Sequence, residues 1–177
     1  MTSKERVLCS LAWQEPERVP IQTYLTPEIH QLLRDYFGGR SVIECLGVDF
    51  RGVGAKYLGK AKPPQGDVHF DMWGAGYRPV CHPSGGTYDE AVVLPLADLK
   101  TMDDVEAYPW PSAEDFDYSG IEKECDALKD YAVTCMGAGT PDIVNGVSRG
   151  RGMERVLVDI VTRDEVGLAI IDKRVDL

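Results

Sequence analysis

Val7, Leu8, Leu11 and Ala12 recur at helical spacing behind Thr2-Ser3-Lys4-Glu5, which has the order of a capping box. A short helix therefore opens the chain and ends before Pro16. Val19 to Leu25 alternates as a strand does, with Pro20 tolerable near its start. Thr26-Pro27-Glu28 supplies an N-cap, a first-position proline and a first-turn acid for a second helix, whose face carries Ile29, Leu32, Leu33, Tyr36 and Phe37 until Gly38-Gly39. Ser41-Val42-Ile43-Glu44 reads as another capping box, Gly47 closes its turn, and Val48 to Val53 predicts a strand.

Further on, Tyr77 to Cys81 and Thr87 to Leu94 flank Pro83-Ser84-Gly85-Gly86 and predict a β-hairpin. Thr101 to Tyr108 is a capped helix, Pro109-Trp110-Pro111 a stiff connector, and Ile121, Cys125 and Leu128 mark one face of the next helix. Tyr131 to Met136 is an almost unbroken apolar run, as in a strand buried on both faces of a parallel sheet, and Gly137-Ala138-Gly139-Thr140-Pro141 turns the chain after it. Met153, Val156, Leu157 and Ile160 form a helical stripe, and Thr162-Arg163-Asp164-Glu165 predicts a capping box before Val166, Ala169 and Ile170.

Strands alternating with helices define an α/β protein, here expected as the N-terminal portion of a partial (β/α)8 TIM barrel with an inserted β-hairpin at about residues 54–95. Such a barrel takes eight strand-helix units in about 250 residues, whereas residues 1–177 supply about three. A single truncated barrel domain is thus expected. Its open strand edges predict marginal stability, self-association and no activity when the segment stands alone.

Composition narrows the partners. Nineteen Lys and Arg against 29 Asp and Glu leave a net charge of −10, which a phosphate backbone would repel, so nucleic acid is not expected. The longest apolar runs, such as Ala91 to Leu94, are far too short to span a membrane, and the N-terminus has no secretory pattern. Cys9, Cys45, Cys81, Cys125 and Cys135 are scattered without a Cys-x-x-Cys pair, which predicts small buried thiols kept reduced in a cytoplasm.

Lys4-Glu5-Arg6-Val7-Leu8 followed by Glu15-Pro16-Glu17-Arg18-Val19-Pro20-Ile21 resembles the opening signature of the uroporphyrinogen decarboxylase superfamily. The resemblance continues through Leu46 to Arg51, Asp71-Met72-Trp73-Gly74, Thr101 to Pro111 and Gly152-Met153-Glu154. It implies a barrel enzyme that works at the C-terminal ends of its strands, either a heme-pathway decarboxylase or a corrinoid-dependent methyltransferase. A non-catalytic scaffold or docking module for a corrinoid protein is a third reading. Decarboxylases of the family carry an arginine-rich segment after the first strand to hold the substrate's carboxylates. Here that place reads Gln22-Thr23-Tyr24-Leu25-Thr26-Pro27.

The decarboxylase reading also implies an aspartate that stabilises a protonated pyrrole, for which Asp71 and Asp49 compete. Asp49 is expected within the second strand, beside Arg51 on one face. Arg51, Tyr24, Arg149 and Arg151 are the candidate substrate contacts, partly replacing the missing arginines. The methyltransferase reading implies zinc and a corrinoid, held by residues beyond this segment. Cys81-His82 lacks the spacing of a metal pair, so no metal is expected within the segment. Gly137-Ala138-Gly139 lacks the third glycine of a dinucleotide fingerprint and predicts a tight loop near the barrel mouth. The expected partners are a small-molecule substrate, a corrinoid protein in the methyltransferase or docking readings, and a second copy in a homo-oligomer.

Overall fold

The structure is a computed structural model that describes residues 1–83, 85–135 and 143–176. Its elements in chain order begin with α1 (Ser3–Leu11), α2 (Pro27–Tyr36), α3 (Val42–Cys45), β1 (Phe50–Val53), β2 (Lys56–Tyr57) and β3 (His69–Phe70). They continue with β4 (Gly76–His82), β5 (Gly86–Val93), α4 (Met102–Ala107), β6 (Phe116–Asp117), α5 (Ile121–Ala127) and β7 (Ala132–Cys135). Three helices close the order: α6 (Ile143–Arg151), α7 (Met153–Thr162) and α8 (Glu165–Val175). This is a mixed α/β protein with small sheets, and among the described residues no sheet closes into a barrel. The chain divides into two units, residues 1–55 with 118–137 and residues 56–117 with 138–177.

In the first unit β1 and β7 run parallel, in register from Phe50 opposite Ala132 to Val53 opposite Cys135. Parallel neighbours need a crossover, and here α5 leads into β7 at the end of that connection. Val7, Val42, Val48 and Val53 are buried. The Thr2 capping box forms in full, and Thr26 caps α2 by accepting the Ile29 N–H. Ser41 precedes α3 but makes no side-chain cap.

Several expectations need correction. Residues 19–25 form no strand: the segment has no ladder partner, and its backbone is held at Ile21, whose carbonyl accepts the Asp49 N–H at 2.9 Å. Strand β7 is half-buried rather than covered on both faces, and among the described residues β1 is its one sheet neighbour. The expected box at Thr162 is displaced, since Thr162 ends α7 with its hydroxyl on the Val158 carbonyl and Asp164 is the residue that caps α8. No cysteine is fully buried: Cys81 and Cys135 are exposed and the other three half-buried. The Gly137 to Pro141 turn, Ser84 of the hairpin turn and Met136 lie outside the described residues.

In the second unit β3, β4 and β5 form an antiparallel sheet, so the predicted hairpin is present, and β2 pairs with β6. Helices α4, α6, α7 and α8 enclose a core of Leu96, Val105, Val147, Val156 and Ile170. A Cβ on Gly167 would lie 2.3 Å from Cβ of Asp159, so glycine is what lets α8 cross α7 this closely. The same helices hold Arg151 and Asp159 as a fully buried ion pair.

Candidate functional site

Asp49 lies just ahead of β1 and is wholly buried. Arg18 spans both its oxygens, at 2.7 and 2.9 Å, Arg6 bonds one of them, and the Ile21 N–H donates to the other at 2.8 Å. Arg6 also holds Glu17, and Arg18 reaches the Gly47 and Val19 carbonyls. Arg6, Glu17 and Arg18 are therefore the cations and acid of one internal cluster around Asp49. Arg51 is not its partner: that guanidinium stacks over the Tyr131 ring at 3.9 Å and donates to the Val48 and Phe50 carbonyls. Burial alone would raise the Asp49 carboxyl, but hydrogen bonds from Arg18, the Ile21 N–H, Ser3 and Arg6 outweigh it and lower it from 3.8 to about 2. Tyr24 is exposed, on the extended segment ahead of α2.

Asp71 occupies the connection between β3 and β4. Its Oδ1 accepts the N–H groups of Trp73 and Ala75, each at 2.9 Å, while its backbone N–H reaches the Ala75 carbonyl. A short carboxylate closing its own loop in this way is why aspartate suits the turn. Gly74 completes it at φ +80°, where a Cβ would meet the Tyr108 hydroxyl at 2.7 Å. That hydroxyl donates to the Trp73 carbonyl at 2.6 Å. Gly74→Ala is expected to cost about 1–3 kcal/mol and to loosen Tyr108. Burial and Asp71 push the Tyr108 phenol up to about 12, and burial, Asp71 and its hydrogen bond do the same for Tyr77. Ultraviolet titration of the variant should therefore show one of these two late phenols moving back toward the ordinary value of about 10.

The remaining Asp71 oxygen, Oδ2, accepts the Tyr77 hydroxyl at 2.9 Å. It faces a recess of about 290 Å³ lined by His69, Asp71, Tyr77, Asp89 and Arg149. His69 pairs with Tyr77 across the strands and stacks on it at 5.7 Å between centroids, and its Nε2 lies 3.4 Å from an Asp89 oxygen. Arg149, exposed in the last turn of α6, offsets part of the upward shift of the Tyr77 phenol. The recess thus brings together the Arg149 guanidinium, a carboxylate fixed by three donors and the Tyr77 phenol, which stays protonated at neutral pH.

Of the six candidate residues the structure brings Asp71 and Arg149 together, and leaves Asp49, Arg51, Tyr24 and Arg151 elsewhere. Arg151 does not line the recess: its guanidinium is buried against Asp159 and the Leu96 and Leu99 carbonyls. Tyr77, His69 and Asp89 were not legible as site residues. Their common face depends on the pairing of β3, β4 and β5, including a register shift between Gly76 and Tyr77 that no periodicity announces.

Among the described residues no group of three or more His, Cys, Asp or Glu is placed to hold a metal ion, and no helix is long and apolar enough to cross a membrane. Cys81 and His82 are neighbours on β4 and point to opposite faces of its sheet. No family model matches the chain, and neither a curated protein nor a solved structure matches it.

Proposed function

We propose that the chain forms part of a barrel enzyme of the uroporphyrinogen decarboxylase type, and that the recess at Asp71 is one wall of its small-molecule site. The observation that carries this reading is the meeting of Asp71, Tyr77 and Arg149 from separate elements on one recess. The parallel β1–β7 pair with α5 in its crossover supports the fold, since strand-helix-strand units of this kind are what a (β/α)8 barrel repeats. Arg149 holds a substrate carboxylate through forked, charge-assisted donors. Asp71, already fixed, stabilises the cation made by protonating an electron-rich ring. The bond to the departing carboxylate then breaks, its electron pair neutralises the cation, CO2 leaves and a proton takes its place on carbon.

Release of CO2 from a polycarboxylated porphyrinogen, measured on the intact natural polypeptide, tests the reading. Arg149→Leu is expected to raise KM about tenfold. Asp71→Asn keeps an acceptor for the Trp73 and Ala75 N–H groups, so the turn survives, while kcat falls roughly 100-fold. Turnover unchanged in both variants would remove the recess from the site. Methyl transfer from methylcobalamin without CO2 release would replace the decarboxylase by the corrinoid methyltransferase of the same superfamily.

A further inference from the structure

A second concavity of the second unit shares the Asp71 turn with the recess but is not lined by Arg149. It is a groove of about 690 Å³ walled by Tyr57, Trp73, Tyr108 and Trp110, with Lys60 and Lys62 on the loop after β2. Internal hydrogen bonds and ring contacts hold these aromatic groups in place. The Tyr108 hydroxyl donates to the Trp73 carbonyl and the Trp110 indole N–H to the Val105 carbonyl at 2.7 Å. Tyr108 and Trp110 pack at 4.7 Å between centroids, Trp73 meets Trp110 edge-on at 6.4 Å, and Tyr57 is braced edge-on by Phe116 at 5.2 Å. A wall fixed before binding loses little conformational freedom when a ligand arrives.

Charge selects among flat ligands. The chain carries −10 overall, yet between Lys56 and Lys62 three lysines occur without an acid. No ion pair engages Lys60 or Lys62 among the described residues, and the Lys62 ammonium rests 4.3 Å over the Phe70 ring. The two aspartates at the groove are committed to backbone donors, Asp71 to its own turn and Asp115 to the Ser112 N–H at 2.8 Å. The indole N–H of Trp73, whose residue is 5% exposed, has no acceptor among the described residues. That N–H is buried and the Arg174 guanidinium covers a face of the Trp73 ring at 4.0 Å, so Trp73 backs the wall, and the rigid rings beside it with two ammonium groups call for a flat ligand carrying an anion.

We propose that this groove binds a fused, conjugated heterocycle bearing a phosphate or carboxylate group, the ring lying on the aromatic wall and the anion held by Lys60 and Lys62. The volume lies within the usual span of small-molecule sites. Asp71 borders both sites while Arg149 lines only the recess, so changes at Lys60, Lys62 and Tyr57 test the groove separately from decarboxylation.

The test titrates the protein with flavin mononucleotide, folic acid, riboflavin and inorganic phosphate, following quenching of tryptophan fluorescence with equilibrium dialysis as the second measure. The nucleotide or folic acid is expected to bind at submillimolar concentration, and to bind at least tenfold more tightly than riboflavin or phosphate. Preference for the nucleotide identifies phosphate as the anion, and preference for folic acid identifies carboxylate. The exposed double variant Lys60→Met, Lys62→Met should weaken the preferred ligand roughly tenfold and leave riboflavin unchanged, whereas Tyr57→Ala should weaken both. Arg149→Leu should alter neither, which separates the groove from the recess. Failure of both anionic rings to bind, or binding indifferent to the lysine and tyrosine changes, would overturn the proposal.

Discussion

Arg151→Met is expected to destabilise the second unit by about 3–5 kcal/mol, while Arg149→Leu, two positions earlier, changes stability by less than about 0.5 kcal/mol. Arg151 and Asp159 are each about 1% exposed and face one another across α6 and α7. Removing the guanidinium strands a buried carboxylate whose other cation among the described residues, Arg155, is half-exposed, and it leaves the Leu96 and Leu99 carbonyls without their donor. The penalty is mainly that of an uncompensated buried charge. For the same reason Arg151→Met combined with Asp159→Leu should recover much of the loss, since apolar side chains can replace a buried pair at little net cost. Denaturant unfolding followed by far-ultraviolet circular dichroism measures all three. Wild-type stability in Arg151→Met would mean that the pair contributes nothing and that Arg151 is available for another role.

Helix geometry explains why these two arginines part company. Residues two apart on an α-helix are about 200° apart around its axis, so when Arg151 faces inward Arg149 must face out. In the sequence both stand as candidate substrate contacts, because the helical stripe becomes regular only after Gly152, and Gly146, Gly150 and Gly152 interrupt the pattern before it. With α6 placed, one arginine belongs to the core and the other to the recess.

Local chemistry was readable wherever a local interaction decides the structure. Thr2, Thr26 and Thr101 cap helices where their neighbours predict it, and the β4–β5 hairpin follows from its turn residues. What needed the folded chain was pairing. Residues 19–25 have the alternation of a strand but no partner to make them one. The division into two units is also hidden, because the first resumes at residue 118, far along the chain from where it breaks off. Among the residues of the recess, Asp71 and Arg149 were named in the sequence through the family resemblance, Asp71 in competition with Asp49 and Arg149 as a stand-in for the missing arginines. Tyr77, His69 and Asp89 became neighbours only through strand register.

Asp49 carries the second large effect, and it bears on whether that carboxylate is chemistry or structure. Asp49→Asn should destabilise the first unit by about 3 kcal/mol at neutral pH, because Arg6 and Arg18 would converge on a neutral amide in a buried place. The effect depends on pH with a definite sign. The folded carboxyl is lowered from 3.8 to about 2, so its ionised form is favoured by folding. The stability it contributes is full above the unfolded value and disappears as pH falls from about 4 through about 2. Glu17 is lowered as well, chiefly by its hydrogen bond with Arg6, so the wild-type acid transition alone does not isolate Asp49. The difference between wild type and Asp49→Asn does, because Glu17 is common to both. That difference should be large at pH 7 and close toward zero near pH 2, as read from denaturant midpoints across the range. A variant that unfolds like wild type at every pH yet loses turnover would reverse the assignment: Asp49 would be the catalytic acid, and Arg6 and Arg18 would hold it for the reaction rather than for the fold.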